Sequence, residues 1–390
     1  MAVKNLAYIN SNMLKWARSV SLPFAPSIDL VVEQLPKFSY EKIDAWENGF
    51  DFPTITEAKS LAKLYKVPLA CFYYSKLPEE KPMRYNDRRT LNGSQSELLN
   101  YELWKEIQRI TSNREIAIEC FPDIDTIFDP LPKLDKTADV KTIAQNLREY
   151  IGVTSPFNSK NEYNKNDPFK FFQKMVEDKG IMVAQIQKVA VSDIRGLSIY
   201  DDVLPIIAVT SKDSKRAKVF TLFHELAHLI RRSSSLCLID FGENSDEEEK
   251  ICNMIAAETL LPEDSFREVS LSIYLDYDEW NDQCLTDISD KFAVSSFVVL
   301  RRLHDLSLMK NNEYYLKYSE MIHEYNSYKM PERKSAPIPQ AYMCIGKNGT
   351  LYPKVLLSAY DKGNITYGTL CQALDLNSQH ISKLEQVLFK

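Results

Sequence analysis

Phe220-Thr-Leu-Phe-His-Glu-Leu-Ala-His-Leu-Ile230 is the stretch that decides how this 390-residue chain is read. It contains His-Glu-x-x-His as His224, Glu225 and His228. On an α-helix, positions i and i+4 lie one above the other on one face, so both imidazoles can reach one ion. Zinc suits such a pair, and the glutamate between them lies beside the metal's open position as a general base. Phe220, Leu222, Phe223, Leu226, Leu229 and Ile230 flank the motif and predict a buried helix. The plainer alternative is a core helix that happens to carry two histidines. Its neighbours decide between them.

Upstream, residues 169–179 have helical spacing and 181–187 alternate as a strand. Residues 195–200 and 205–210 read as two more strands joined at the polar pair Asp201-Asp202. Three short strands leading into a zinc-binding helix is the order used by zinc peptidases, whose sheet edge can hold an extended peptide beside the metal. A catalytic zinc takes three protein ligands and keeps a fourth position open. The third is expected from the helix predicted over 245–262, whose apolar face runs through Ile251, Ile255, Ala256 and Leu260. Asp246, Glu247, Glu248 and Glu249 begin it. Acids at a helix start are often solvated partners of its dipole, and that reading suits Glu247 and Glu248. Glu249 shares a side with Asn253 and Ala256, and Glu258 is the reserve ligand.

Taken jointly, Phe220-Thr-Leu-Phe-His-Glu-Leu-Ala-His and Glu249-x-x-Cys-Asn-x-Ile-Ala-Ala-x-x-Leu-Leu-Pro262 resemble the ImmA/IrrE family of zinc metallopeptidases. That family's pattern carries Ala where Cys252 stands and Phe where Ile255 stands, changes that leave its chemistry intact. The resemblance spans about 166–310, including Gly196-Leu-Ser and Phe292-Ala-Val-Ser-Ser-Phe-Val-Val-Leu-Arg-Arg-Leu303. It implies that Glu249 is the third ligand, that Zn2+ is the cofactor, and that the substrate is a helix-turn-helix repressor or similar regulatory protein. His304 and Arg301 are candidates for stabilising the oxyanion, against the ordinary reading of exposed helix residues.

Residues 1–80 divide into five short helices, at 12–19, 29–35, 40–48, 55–65 and 69–74, with Ser39 and Thr54 as N-caps. Phe38-Ser-Tyr-Glu-Lys-Ile-Asp-Ala-Trp-Glu-Asn-Gly49 and Leu61-Ala-Lys-Leu-Tyr-Lys-Val-Pro-Leu69 resemble the Cro/repressor-type (XRE-like) helix-turn-helix family. The resemblance implies DNA binding through the helix at 39–48, with Ser39, Tyr40 and Lys42 as contact residues. Glu41, Asp44 and Glu47 on that helix set it against phosphate, and docking onto a protein is the alternative.

Residues 96–120 and 138–151 are helical by spacing, between a basic, proline-bearing link at 81–90 and a polar loop at 158–167. Residues 311–328 form a tyrosine-rich helix, 329–340 a linker, and 355–362, 366–374 and 378–388 three helices. The expected fold class is α+β, mostly helical. Its domains are a helix-turn-helix domain (1–80), a helical connector (81–165), a zincin-like metallopeptidase domain (166–328) and a small helical C-terminal module (329–390).

Composition restricts the function classes. A net charge of −6 argues against a basic nucleic-acid coat, and the 10 glycines form no nucleotide-cradling loop. The seven cysteines contain no C-x-x-C pair, and no apolar run approaches membrane-spanning length. A cytoplasmic protein with reduced thiols and no membrane partner is expected. Two classes remain. One is a zinc endopeptidase joined to a helix-turn-helix module. The other is a DNA-binding regulator or antitoxin-like protein with a toxin partner, using the peptidase fold as sensor or scaffold. A scaffold has no need to keep Glu225, which favours the enzyme.

Overall fold

Five short helical segments order the first part of the chain: α1 (Ser11–Ser21), α2 (Ile28–Gln34), α3 (Tyr40–Glu47), α4 (Ile55–Tyr65) and a 3-10 turn at Leu69–Tyr73. The computed structural model describes residues 5–21, 27–65, 67, 69–74, 101–128, 131–132, 138–153, 167–191, 194–232, 235–237, 247–327 and 338–389. They fall into two compact units, Met1–Lys105 and Glu106–Lys390. The first encloses a core of Leu14, Ala17, Ile43, Trp46, Leu61, Tyr65 and Phe72. Thr54 and Glu57 start α4 with reciprocal bonds: Thr54 N donates to Glu57 Oε2 at 2.8 Å and Glu57 N donates to Thr54 Oγ1 at 3.3 Å. The basic link at 81–90 and most of the loop at 158–167 lie outside the described residues.

Next come α5 (Tyr101–Cys120), α6 (Val140–Ile151), α7 (Pro168–Glu177), β1 (Met182–Ile186), β2 (Gly196–Ile199), β3 (Ile206–Thr210) and α8 (Lys215–Ile230). They are followed by β4 (Ser235–Cys237), α9 (Glu247–Leu260), α10 (Glu263–Tyr277), α11 (Asp282–Phe292), α12 (Ser296–Asp305) and α13 (Asn311–Ser327). The last helices are α14 (Gln340–Asn348), α15 (Leu351–Asp361), α16 (Tyr367–Leu374) and α17 (Ile381–Leu388). The second unit begins at Glu106, inside α5.

The sheet has four strands, in the order β1-β3-β2-β4. β1 and β3 pair in parallel, and their near-continuous apolar sequences match burial on both faces. β2 runs antiparallel to β3 on one side and to β4 on the other. The three strands expected ahead of α8 are all present, and β4, which follows α8, adds a fourth that was not expected. β4 has three residues, Ser-Leu-Cys, too few to display alternation, yet it takes the outer edge of β2. A peptide adding to that edge would pair with β4. At the other end α14 packs along β1, covering a strand edge that would otherwise invite pairing. α14 was also not expected, since the linker was read through to residue 340. Of its apolar residues only Ala341 and Cys344 are buried, beside a buried Asn348, while Tyr342 and Met343 are exposed.

α8 is the centre of the core, with every residue from Lys218 to Ile230 buried. A helix buried all round must be apolar nearly all round, as this one is. Ser214 caps it, its Oγ accepting from Ala217 N at 3.1 Å. Around it lie α7, α9, β2 and β3, with Phe172 edge-on to Phe223 at 5.2 Å. Among the described residues, no helix is long and apolar enough to cross a membrane.

The turn between α14 and α15 is fastened to α7. Glu177 is buried and accepts from Thr350 N at 2.9 Å and Thr350 Oγ1 at 2.6 Å. Gly349 sits between, at φ +74°, where a Cβ would lie 2.0 Å from Glu177 Oε1 and 2.3 Å from the Val183 carbonyl oxygen. Only glycine fits. Burial pushes the Glu177 carboxyl up to about 7, against the pull of the Thr350 and Leu351 donors. The folded-state value then lies above the unfolded one, so the stabilisation is complete at low pH and is lost as pH rises from about 4.5 to about 7. Glu177→Gln mimics the protonated form. Melting temperatures across that window should fall more for the wild type than for the variant; parallel curves would contradict a buried charge at this turn.

Candidate metal centre

His224 and His228 occupy successive turns of α8, 0% and 2% exposed. Their Nε2 atoms face each other at 3.2 Å. Glu249, in the first turn of α9, completes the cluster: Oε2 is 3.2 Å from His224 Nε2 and Oε1 is 3.3 Å from His228 Nε2. Zinc bonds of this donor type imply tetrahedral edges of about 3.3–3.4 Å. The three side chains therefore already stand at the spacing one zinc requires, and the donor set of two imidazoles and a carboxylate suits it. Burial pushes the Glu249 carboxyl up, but the two imidazoles more than reverse this and hold it well below the usual carboxylate range.

The position of Glu249 follows from the residues beside it. Arg231, the C-cap of α8, makes a two-pronged ion pair with Glu248 at 2.7 Å for both contacts. A planar guanidinium fork matches a carboxylate in just this way. It ties the start of α9 to the end of α8, one residue from Glu249 and one turn from His228. Glu248 thus has a structural partner rather than a purely solvated one. α9 then runs inward through Cys252, Ile255 and Ala256.

Glu225 is fully buried beside the histidines. Its space is provided by β2. A methyl group at Gly196 would lie 2.6 Å from Glu225 Oε1 and 2.6 Å from Thr221 Cγ2. Glycine is required here for close approach, since a side chain would compete with the carboxylate for the same volume.

The other sequence candidates lie elsewhere. Glu258, the reserve ligand, is paired with Arg302 and accepts from Glu263 N at 3.1 Å. Its role is to satisfy a buried arginine, whose Nε also donates to the Leu261 carbonyl at 3.1 Å. His304 stacks on Tyr314 with centroids 4.2 Å apart, and Arg301 pairs with Asp305 at 2.8 Å. None of these partners belongs to the triad. In the first unit, Ser39, Tyr40 and Lys42 are exposed at the start of α3. Lys42 Nζ is 2.7 Å from Glu57 Oε1 and lies over the Trp46 ring. Glu47 is buried and held by Arg18 at 2.6 and 2.7 Å, which removes one of the three acids counted against phosphate.

Two buried histidines, a buried glutamate and a carboxylate from the next helix define the centre. Residues 176–304 match the model of the Peptidase_M78 family, the IrrE N-terminal-like domain. The match covers about a third of the chain, from the end of α7 to the end of α12, and holds the whole cluster. It supports a metallopeptidase domain of the ImmA/IrrE type there. No curated protein and no solved structure matches the chain significantly.

Sequence reasoning missed what Gly196 and Arg231 do at this centre. Arg231 and Glu248 carried a readable signal, being opposite charges just after one motif and just before the other. Gly196 carried none beyond being one of few glycines in a strand. Gly196→Ala is expected to keep its metal, because the three ligands are untouched, while peptide hydrolysis falls about 100-fold as Glu225 is displaced. Metal analysis and a cleavage assay on the same sample check this; unchanged hydrolysis would show that Gly196 does not set the base.

Proposed function

We propose that this chain is a zinc-dependent endopeptidase joined to a helix-turn-helix module, and that it cleaves a helix-turn-helix repressor or similar regulatory protein. Cutting such a target would derepress the genes it controls, in mobile-element, phage or stress regulation. The observation that carries the reading is the convergence of His224, His228 and Glu249 with Glu225 buried beside them.

In this reading His224 Nε2, His228 Nε2 and a Glu249 oxygen hold the zinc. When bound, zinc supplies Lewis acidity toward a peptide carbonyl and brings the pKa of a coordinated water close to neutrality. Glu225 accepts a proton from the attacking water on its carboxylate and delivers it to the departing amine. The apolar wall of α8 keeps bulk water from the carboxylate, which strengthens each electrostatic contact within the site. β4, at the sheet edge, is the natural place for an extended substrate backbone to pair.

The N-terminal bundle serves recruitment in this reading. It resembles the repressor-type helix-turn-helix fold in sequence, and Lys42 is already engaged by Glu57. Docking onto a protein partner of its own kind is therefore favoured over tight binding to phosphate. A regulator with a toxin partner, using the peptidase fold as scaffold, is the second reading; buried Glu225 speaks against it.

Wild-type protein should contain about one zinc per chain, and His228→Ala should lose most of it. Glu225→Gln should keep zinc and abolish cleavage of a co-expressed repressor. A Glu225→Gln variant that reproduces every wild-type effect in cells would sink the protease reading and favour the scaffold.

A further inference from the structure

A cavity of about 230 Å³, lined by none of the residues of the metal centre, lies between residues 121–128, the end of α7 and the first turns of α15. Phe121, Ile127, Phe128, Leu351 and Val355 form its apolar walls. The two aromatic walls are held from behind. A methyl group at Gly180 would lie 2.4 Å from Phe128 Cγ, so that ring sits directly on the backbone. Lys362 Nζ covers Phe121 at 4.2 Å from the ring centroid. Apolar cavities of about 150 Å³ hold benzene. The larger space here admits a phenyl ring or a branched alkyl group together with a short polar arm.

The polar groups of the lining are unevenly committed. Glu177 is buried, and its carboxylate accepts from Thr350 N at 2.9 Å and Thr350 Oγ1 at 2.6 Å, so it is engaged by the start of α15. Asp178 is exposed, where solvent screens its charge. Lys354 is half-buried and, among the described residues, forms no ion pair and no side-chain hydrogen bond. Ser358 follows it by one helical turn, so the hydroxyl and the ammonium share one face of α15. A cation partly withdrawn from water beside an apolar wall attracts an anion more strongly than it would in bulk solvent.

We propose that this cavity binds a small monocarboxylic acid with an aromatic or branched apolar body, its carboxylate held by Lys354 Nζ and Ser358 Oγ and its body seated between Phe121 and Phe128. The lining disfavours the neighbouring classes of ligand. Inorganic phosphate gains nothing from the apolar walls and leaves most of its oxygens without donors. A neutral amide of the same shape keeps the apolar contacts but forfeits the charge-assisted bond to the lysine. An occupant touches α7 and α15 together and so braces the junction that Glu177 and Thr350 make. The inference does not depend on the zinc reading.

Equilibrium dialysis of the full-length protein against phenylacetate tests the proposal. One molecule per chain should bind at saturation, and the melting temperature should rise with ligand concentration. Phenylacetamide, which has the same shape without the charge, should bind about tenfold more weakly. Lys354→Gln should lose about the same factor for the acid while its affinity for the amide stays at the wild-type value, a contrast that misfolding would not produce. The absence of saturable binding at millimolar phenylacetate, equal affinity for acid and amide, wild-type affinity for the acid in Lys354→Gln, or displacement of the acid by equimolar inorganic phosphate would each overturn the assignment.

Discussion

Two imidazoles and a carboxylate face one another across 3.2–3.3 Å inside a helical core, and the rest of the second unit is arranged to keep them there. Imidazoles as deeply placed as His224 and His228 are expensive unless something satisfies them. α8 supplies two on one face because 3.6 residues per turn brings positions 224 and 228 into line. α9 supplies the third because Arg231 and Glu248 bind the end of one helix to the start of the next. The strands supply clearance: Gly196 is where the sheet gives room for Glu225. A metal of zinc's size and preference satisfies all three donors at once, which no single protein hydrogen bond in that arrangement does.

Much of this was legible in the sequence, for physical reasons that differ by element. The His-Glu-x-x-His spacing is a helical signal, and its apolar flanks announce burial. The strands at 182–186 and 206–210 are apolar runs of β-branched character, long enough to be seen. β4 was not legible because three residues cannot show a period. α14 was obscured by prolines before it and by apolar residues, Tyr342 and Met343, that it leaves exposed. Glu258 was kept as the reserve ligand behind Glu249. Its long-range pairing with Arg302 occupies it elsewhere, and such pairings, 44 residues apart, leave no local mark.

The C-terminal helices are fastened into the same unit as the metal centre. Glu177 reaches from α7 to cap the start of α15, and Arg109 Nη1 donates to Asn348 Oδ1 at 2.8 Å while its Nη2 donates to the Gln185 carbonyl at 3.0 Å. Removing the tail would leave a buried carboxylate and an arginine without these partners. The first unit is built on different terms. Its core of Trp46, Tyr65 and Phe72 is compact, while α3 has its cation and one of its acids engaged internally, by Glu57 and Arg18. That internal pairing leaves little charge to hold a phosphate backbone.

The central claim concerns which atoms would hold the metal, and X-ray absorption at the zinc edge reads them most directly. The account predicts a first shell of nitrogen and oxygen at about 2.0–2.1 Å, with the multiple-scattering signature of two imidazoles and no sulfur. A sulfur shell at about 2.3 Å would contradict it, because Cys252 would then be a ligand and the open position beside Glu225 would be lost.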